Sequence, residues 1–197
     1  MNKTQRFIFL FSIVLGTSCL TRCEKKSDLP TDGDGNEYHT VVIGTQTWLK
    51  ENLKTTKYCG GAPISLVTDN LKWENCKVAA YCWYDNNKVW NDIYGALYNW
   101  YAVRIGVLCP VGFHVPTIED WTTLATYLID APEAVKQSFQ ALSMGKRSWN
   151  GDFLPIFSWW VSAQEESENY AWRATDDFSL NPMPKATGYH VRCIKDN

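Results

Sequence analysis

The order of apolar and polar positions predicts short strands at both ends of the chain and helices in its middle. β-rich residues alternate with polar ones over 37–43, and a second apolar run continues through Trp48, so two strands are expected there. Residues 51–78 carry glycine, proline and scattered polar side chains and predict a loop. An apolar run over 81–84 indicates an extended segment that ends in a turn at 85–87.

Helical spacing is found in the middle of the chain. Over 94–103 apolar residues recur three and four positions apart, which favours a helix. A second helix is predicted after Pro116, because Thr117 is a good N-cap and Asp120 stands three residues later, as in a capping box. Residues 133–139 allow one or two further helical turns. The residues expected to bury the second helix are Trp121, Leu124, Ala125 and Leu128.

The rest of the chain predicts short strands separated by turns. Asn150-Gly151 is a strong turn signal. The expected strands lie at 139–142, 157–161, 170–175 and 189–194. Strands, two central helices and then more strands indicate an α+β domain, in contrast to a doubly wound parallel sheet.

The N-terminus has the pattern of an export signal. Lys3 and Arg6 precede an apolar run over 7–15, which is too short to serve as a stable membrane anchor. Cys19 stands where a bacterial lipoprotein signal places the cysteine that is lipidated. Cys23 is the second candidate, although the arginine before it fits the cleavage site poorly. An ordinary secretory signal with two incidental cysteines is the alternative.

These signals divide the chain into a signal peptide over 1–18, a flexible polar tether over 19–36 and one folded domain over 37–197. A lipid anchor makes a membrane the first expected partner. The expected location is the cell envelope, as an outer-membrane lipoprotein of a Gram-negative bacterium. The formal net charge is −2 and the chain has no basic run, which argues against nucleic acid as a partner.

The expected domain contains an odd number of cysteines, which in an exported protein implies at least one unpaired thiol. We predict the disulfides Cys109–Cys193 and Cys59–Cys76. Cys82 lies in an apolar, strand-like run and is expected to be a buried, inert thiol.

Candidate metal sites are weak. Residues 32–36 imitate the start of a calcium-binding EF-hand loop, but Glu37 replaces its glycine and Ile43 its bidentate glutamate. A zinc site is the alternative use of Cys109, His114, His190 and Cys193. Side chains alternate along a strand, so positions 190 and 193 face opposite sides, which argues against zinc. No cofactor is expected.

The chain is rich in aromatic residues, with ten tryptophans and ten tyrosines. Most of these rings are expected in the core, because they bury large areas with few rotatable bonds. Rings left exposed in a groove would instead stack on the faces of sugars.

Several long motifs occur in a fixed order: Val-Ile-Gly-Thr-Gln-Thr-Trp-Leu-Lys-Glu-Asn-Leu from 42, Ala-Tyr-Cys-Trp-Tyr from 80, Tyr-Gly-Ala-Leu-Tyr-Asn-Trp-Tyr from 94, the segment 109–121, Trp159-Trp160, and 188–196. Together they resemble the Fibrobacter succinogenes major paralogous domain, a family of exported bacterial proteins that are often lipoproteins. Cys59 and Cys76 are extra relative to the family, which is a further reason to pair them with each other.

The resemblance implies a fold. The family is similar to a variant of the C-type-lectin-like fold, which formylglycine-generating enzymes share, so short mixed strands around two central helices are expected. This likeness concerns the fold and carries no function with it.

Two functions of different classes remain. The first is a non-enzymatic binding or structural domain on a lipid anchor, which recognises a glycan or a surface protein through its loops. The second is an enzyme on a lectin-like scaffold, with His114 or the late acidic loops as active groups, although no catalytic signature supports it. The first is favoured. Its candidate binding residues are Trp159, Trp160, Glu165, Glu166, Trp172 and Asp176.

Overall fold

The computed structural model describes residues 28–139, 144–155, 158–175 and 178–197. The chain forms a mixed α+β structure with several small sheets and short helices. The strands are β1 Thr40–Ile43, β2 Gln46–Leu49, β3 Ser65–Leu66, β4 Ala80–Cys82, β5 Leu97–Tyr98, β6 Phe113–His114, β7 Lys146–Arg147, β8 Phe153–Leu154, β9 Ser158–Glu165, β10 Tyr170–Thr175, β11 Leu180–Pro184 and β12 Ile194–Lys195. The α-helices are α1 Asn70–Glu74, α2 Asn91–Tyr94, α3 Trp100–Val103, α4 Ile118–Ile129 and α5 Glu133–Ser138.

A four-stranded antiparallel sheet, in the order β1-β2-β12-β6, brings distant parts of the chain together. The hairpin of β1 and β2 begins with Thr40 opposite Leu49. Ile194 of β12 lies between Trp48 on one side and His114 on the other. The C-terminal residues therefore close the sheet between an early hairpin and the segment that precedes α4.

A second antiparallel sheet, in the order β11-β10-β9, carries the late strands. Its central strand β10 covers the range 170–175 expected from the sequence. The register against β9 shifts between Ala171 and Arg173, as at a β-bulge. The described residues also form a three-stranded sheet, β3-β4-β5, and a two-stranded sheet, β7-β8.

Helix α4 begins where the sequence predicts. The Thr117 hydroxyl accepts a hydrogen bond from the Asp120 backbone N–H, and the Asp120 carboxylate accepts one from the Thr117 N–H, which forms a capping box. The helix buries Trp121, Leu124 and Leu128. The box pairs the N–H groups of Thr117 and Asp120 within the first turn, so these two groups need no partner from elsewhere in the fold.

Aromatic residues fill two main cores. One surrounds Tyr98 and Tyr189 and includes the Cys109–Cys193 disulfide. The other lies under α4, where the rings of Trp48 and Trp121 are 5.0 Å apart between centroids and both contact Phe139. The expectation that most rings are core residues is therefore met among the described residues. A third, smaller cluster lies under α1 around Trp73.

The single helix predicted over 94–103 is wrong. The segment forms α2, then strand β5, then α3. Gly95 has a φ of 80° and ends α2, and Leu97 and Tyr98 pair with β4. Asn99 then accepts a hydrogen bond from the Ala102 N–H and starts α3. Tertiary pairing with β4 thus overrides a helical spacing of apolar residues.

Residues 31–36, assigned to the tether, are hydrogen-bonded into the domain. The Asp32 carboxylate accepts bonds from the backbone N–H groups of Asp34 and Asn36 and from the Tyr38 hydroxyl. Asp34 in turn accepts from Thr56 and pairs with Lys57 at 3.1 Å. The folded part therefore begins before residue 37. The expected signal peptide and both lipidation candidates, Cys19 and Cys23, lie outside the described residues.

One of the two predicted disulfides is confirmed. Cys109 and Cys193 are joined, with 6.0 Å between their Cα atoms. The predicted Cys59–Cys76 disulfide is wrong, because both cysteines are free thiols. The Cys59 thiol donates to the Cys109 carbonyl, and the Cys76 thiol donates to the Val78 carbonyl. Cys82 is a buried free thiol as expected, and burial raises its pKa to about 12.

Strand β12 is shorter than the predicted 189–194, and Tyr189 contributes only an isolated bridge to Tyr98. The predicted strand over 139–142 lies mostly outside the described residues. None of the helices in the described ranges has the length and apolarity that crossing a bilayer requires.

Candidate functional site

An open cleft of about 380 Å³ lies beside the second sheet. The end of α1, helix α3, the β7–β8 turn, the β9–β10 turn and the end of β11 all contribute to it. Its aromatic residues are Tyr101, Trp149 and Tyr170, and its polar residues include Glu74, Lys77, Asn169 and Lys185. Aromatic rings beside several polar side chains can pack against a small organic group and hydrogen-bond to its polar atoms.

Trp149 stands at the tip of the β7–β8 turn. The backbone of Ser148 bonds to both Asp152 and Gly151, and Gly151 has a φ of 91°, a conformation that favours glycine. The turn leaves Trp149 with 49% of its surface exposed. A large ring held on a tight turn at the surface is available for a ligand without rearrangement.

Tyr170 provides the second exposed ring. It begins β10, opposite Pro184 of β11, and is 43% exposed. Its carbonyl accepts hydrogen bonds from the backbone N–H groups of Glu166 and Ser167, which close the β9–β10 turn. The ring is therefore attached to a paired strand and to a closed turn, and its position is well defined.

Lys185 connects this turn to α3. Its side chain is buried, and its Nζ lies 4.3 Å from the centroid of the Trp100 ring. The ammonium donates a hydrogen bond to the Glu168 carbonyl at 2.7 Å and pairs with the Glu165 carboxylate at 3.3 Å. The Lys185 carbonyl also accepts from the Trp100 N–H. Tyr101, the next residue of α3, is thereby held against the β9–β10 side of the cleft.

Comparison with known families identifies the chain. Residues 41–154 match the family described as the Fibrobacter succinogenes major domain. The chain belongs to this family. No curated protein and no solved structure matches it.

The family match covers part of the cleft of this Fibrobacter succinogenes major domain. Tyr101 and Trp149 lie within residues 41–154, whereas Tyr170 and Lys185 lie beyond them. The match is also shorter than the resemblance, whose last motif reached 196. The cleft is therefore formed where family residues meet the C-terminal part of the chain.

The predicted binding residues are only partly brought together. Glu165 ends β9 and reaches the cleft through its ion pair with Lys185, and Glu166 is exposed in the following turn. Trp172 is half-buried against the core under α4 and does not line the cleft. Trp159 and Trp160 belong to β9, and Asp176 lies outside the described residues.

His114, the candidate general base, lies between two carboxylates. Its Nδ1 is 2.7 Å from Asp196 and its Nε2 is 3.0 Å from Asp120. The hydrogen bond to Asp120 is the main cause that raises the pKa of His114, against the effect of burial. Burial by itself raises the pKa of Asp120, but hydrogen bonds from His114 and Thr117 outweigh it and lower the pKa. This group joins the C-terminal residues to the start of α4.

The residues of the alternative zinc site have other partners. Cys109 and Cys193 are in the disulfide, and the buried His190 places its Nδ1 3.1 Å from the Ala96 carbonyl. Burial lowers the pKa of His190 to about 4, so its ring is neutral at pH 7. In the described ranges, no group of three or more His, Cys, Asp or Glu residues converges as metal ligands would.

Trp149 and Tyr170 are not among the binding residues predicted from the sequence. A signal existed for both. Trp149 directly precedes the Asn150-Gly151 turn, and Tyr170 follows a polar run at the start of a strand. A large aromatic residue beside a tight turn lies at the surface, because turns seldom enter the core.

Proposed function

We propose that this Fibrobacter succinogenes major domain is a non-enzymatic carbohydrate-binding module. The observation that carries the proposal is the cleft in which Tyr101, Trp149 and Tyr170 lie among polar side chains. The C–H faces of a sugar ring pack against aromatic faces, and its hydroxyls need polar partners at the edges. Asn169 and Lys77 supply such groups.

The construction of the cleft supports recognition of a ligand. Trp149 and Tyr170 are 49% and 43% exposed, yet each is attached to a closed turn. Rigid, exposed aromatic rings provide contact area at a low cost in conformational entropy. The volume of about 380 Å³ suits a mono- or disaccharide unit of a longer chain.

The same proposal includes a cellular context. The lipoprotein-type N-terminus supports attachment to the outer membrane of a Gram-negative bacterium, where glycans are available as ligands. The small mixed sheets around short helices support a variant of the C-type-lectin-like fold. A protein ligand is the second possibility for the same cleft.

An enzyme that uses His114 receives less support. Both of its ring nitrogens are hydrogen-bonded to carboxylates, so neither is directed at a substrate. His114 is also not among the residues that line the cleft. We therefore place recognition, and no chemical step, at the cleft.

A carbohydrate microarray tests the proposal. The purified protein is compared with the Trp149→Ala variant and with Tyr127→Ala as a control, because Tyr127 is 46% exposed on α4 and outside the cleft. We expect the wild type and Tyr127→Ala to bind the same glycans, and Trp149→Ala to lose at least tenfold in apparent affinity.

Two results would count against carbohydrate binding. Equal binding by Trp149→Ala and the wild type would place recognition outside the cleft. An absence of binding to any glycan on an array of host and dietary polysaccharides would rule out the carbohydrate proposal. A protein ligand would then remain, and affinity capture with the wild type and with Trp149→Ala would test it.

A further inference from the structure

Two cationic side chains lie against one buried tyrosine ring, and neither has an acidic partner among the described residues. The Lys146 ammonium is 5.7 Å from the centroid of the Tyr189 ring, and the Arg173 guanidinium carbon is 6.0 Å from it. Lys146 is only 7% exposed. Among the described residues, neither cationic group takes part in an ion pair, whereas the nearby buried Lys185 pairs with Glu165.

Arg173 also has unused hydrogen-bond donors. Its Nε and Nη1 are buried and have no hydrogen-bond partner in the described part of the chain. A buried donor without an acceptor destabilises the folded protein, and a charged donor does so more strongly. Burial, and then the charge of Arg173, lowers the pKa of Lys146. The protein thus keeps an arrangement that is unfavourable in the absence of an anion.

The elements that hold these residues are fixed. Lys146 is in β7 next to Arg147, whose backbone pairs with Gly188, and Arg173 is in the central strand of the second sheet. Both cationic groups therefore stay within about 6 Å of the Tyr189 ring centroid, with or without a bound anion. Fixed, desolvated donors bind an anion with charge-assisted hydrogen bonds and little reorganisation.

We propose that Lys146 and Arg173 form a binding site for a small carboxylate or oxoanion group. The group inserts between the ammonium and the guanidinium and accepts from the free Arg173 donors. It comes either from a free ion or from an acidic sugar, and the second source rests on the proposed carbohydrate function. Lys146 lies three residues before Trp149 of the cleft and Arg173 three residues after Tyr170, so β7 and β10 lead both to this site and to the cleft.

The test measures thermal unfolding of the purified protein during titration with sodium sulfate, sodium glucuronate or glucose at constant ionic strength. The variants are Lys146→Met and Arg173→Gln, with the exposed Lys195→Met as a control for the loss of one charge. We expect a saturable rise in Tm with an anion for the wild type and Lys195→Met. We expect at least a tenfold weaker response in the other two variants.

The source of the anion follows from the same titrations. Equal responses to sulfate and glucuronate indicate a free ion, whereas a response to glucuronate that exceeds sulfate tenfold indicates an acidic sugar. Lys146→Met should also have a higher Tm than the wild type without an anion, because it removes a buried charge that has no ion pair in the described ranges. A cooperative unfolding transition of Lys146→Met in this measurement also shows that the variant is folded.

Two outcomes would overturn the site. One is a wild type that shows no saturable response to either anion. The other is a response that Lys146→Met and Arg173→Gln retain in full, as general salt effects would produce. Trp149→Ala separates this proposal from the cleft, since it should keep the response to sulfate even if it binds no glycan.

Discussion

Arg147 shows at the scale of one residue how a buried charge organises the protein. Its side chain is fully buried and lies 4.6 Å from the Trp73 ring. The guanidinium donates to the carbonyls of Gly151, Val67 and Thr68. The planar guanidinium can donate hydrogen bonds to all of these acceptors at once, whereas the ammonium of a lysine cannot. The residue thus connects the turn that carries Trp149 to the segment before α1.

We expect Arg147→Lys to lower the free energy of unfolding by about 3 kcal/mol, because buried carbonyls lose their donors. Urea unfolding of the purified protein measures this change. The control is Arg104→Lys, at an exposed arginine 5.5 Å from the Trp100 ring, with an expected cost of about 0.5 kcal/mol or less. An equal decrease in the free energy of unfolding of the two variants would show that the buried Arg147 guanidinium has no special role.

His114 gives a prediction for the pH dependence of stability. Its pKa is raised above 6.5, so its contribution is fully present below pH 6.5 and is lost as the pH rises through the folded-state value. The difference in free energy of unfolding between the wild type and His114→Gln should therefore be largest near pH 6 and shrink toward pH 9. A difference that stays constant over this range would contradict the role assigned to the Asp120 and Asp196 carboxylates.

At the scale of elements, helix α4 depends on its cap. Thr117→Ala removes the acceptor for the Asp120 N–H and should destabilise the protein by about 1 kcal/mol. Thr126→Ala is a suitable control, since that exposed hydroxyl bonds only within the helix, to the Thr122 carbonyl. Thermal unfolding of the two variants checks the prediction. An equal or smaller effect of Thr117→Ala would contradict the importance of the cap.

The elements differ in how well the sequence predicts them. The start of α4 and strand β10 follow from local signals, namely the Thr117–Asp120 box and β-rich alternation. The sequence predicts one helix over 94–103, because local spacing does not report the tertiary pairing of Leu97 with Cys82 of β4. The residues that line the cleft are spread along the chain from 74 to 186. The sequence therefore indicates that the protein is rich in aromatic residues, but it does not indicate where a cleft forms.

At the scale of the whole molecule, the disulfide joins the segment before α4 to the C-terminal residues. Cys109 and Cys193 are separated by 84 positions, and closing a loop of this length stabilises a protein by about 4 kcal/mol in the chain-entropy description. We expect reduction to lower the free energy of unfolding by about this amount. Cys76→Ser should leave the difference between oxidised and reduced protein unchanged, because Cys76 is a free thiol. A reduced protein as stable as the oxidised one would contradict the prediction.

The central claim is that the cleft binds carbohydrate through exposed rings. The most direct test follows the tryptophan indole N–H signals by NMR during titration with a glycan that the protein binds, with the Trp149 signal assigned by its absence in Trp149→Phe. We expect a saturable shift of the Trp149 signal, while the signals of the buried Trp48 and Trp121 stay in place. Saturable binding that leaves the Trp149 signal unchanged would contradict it.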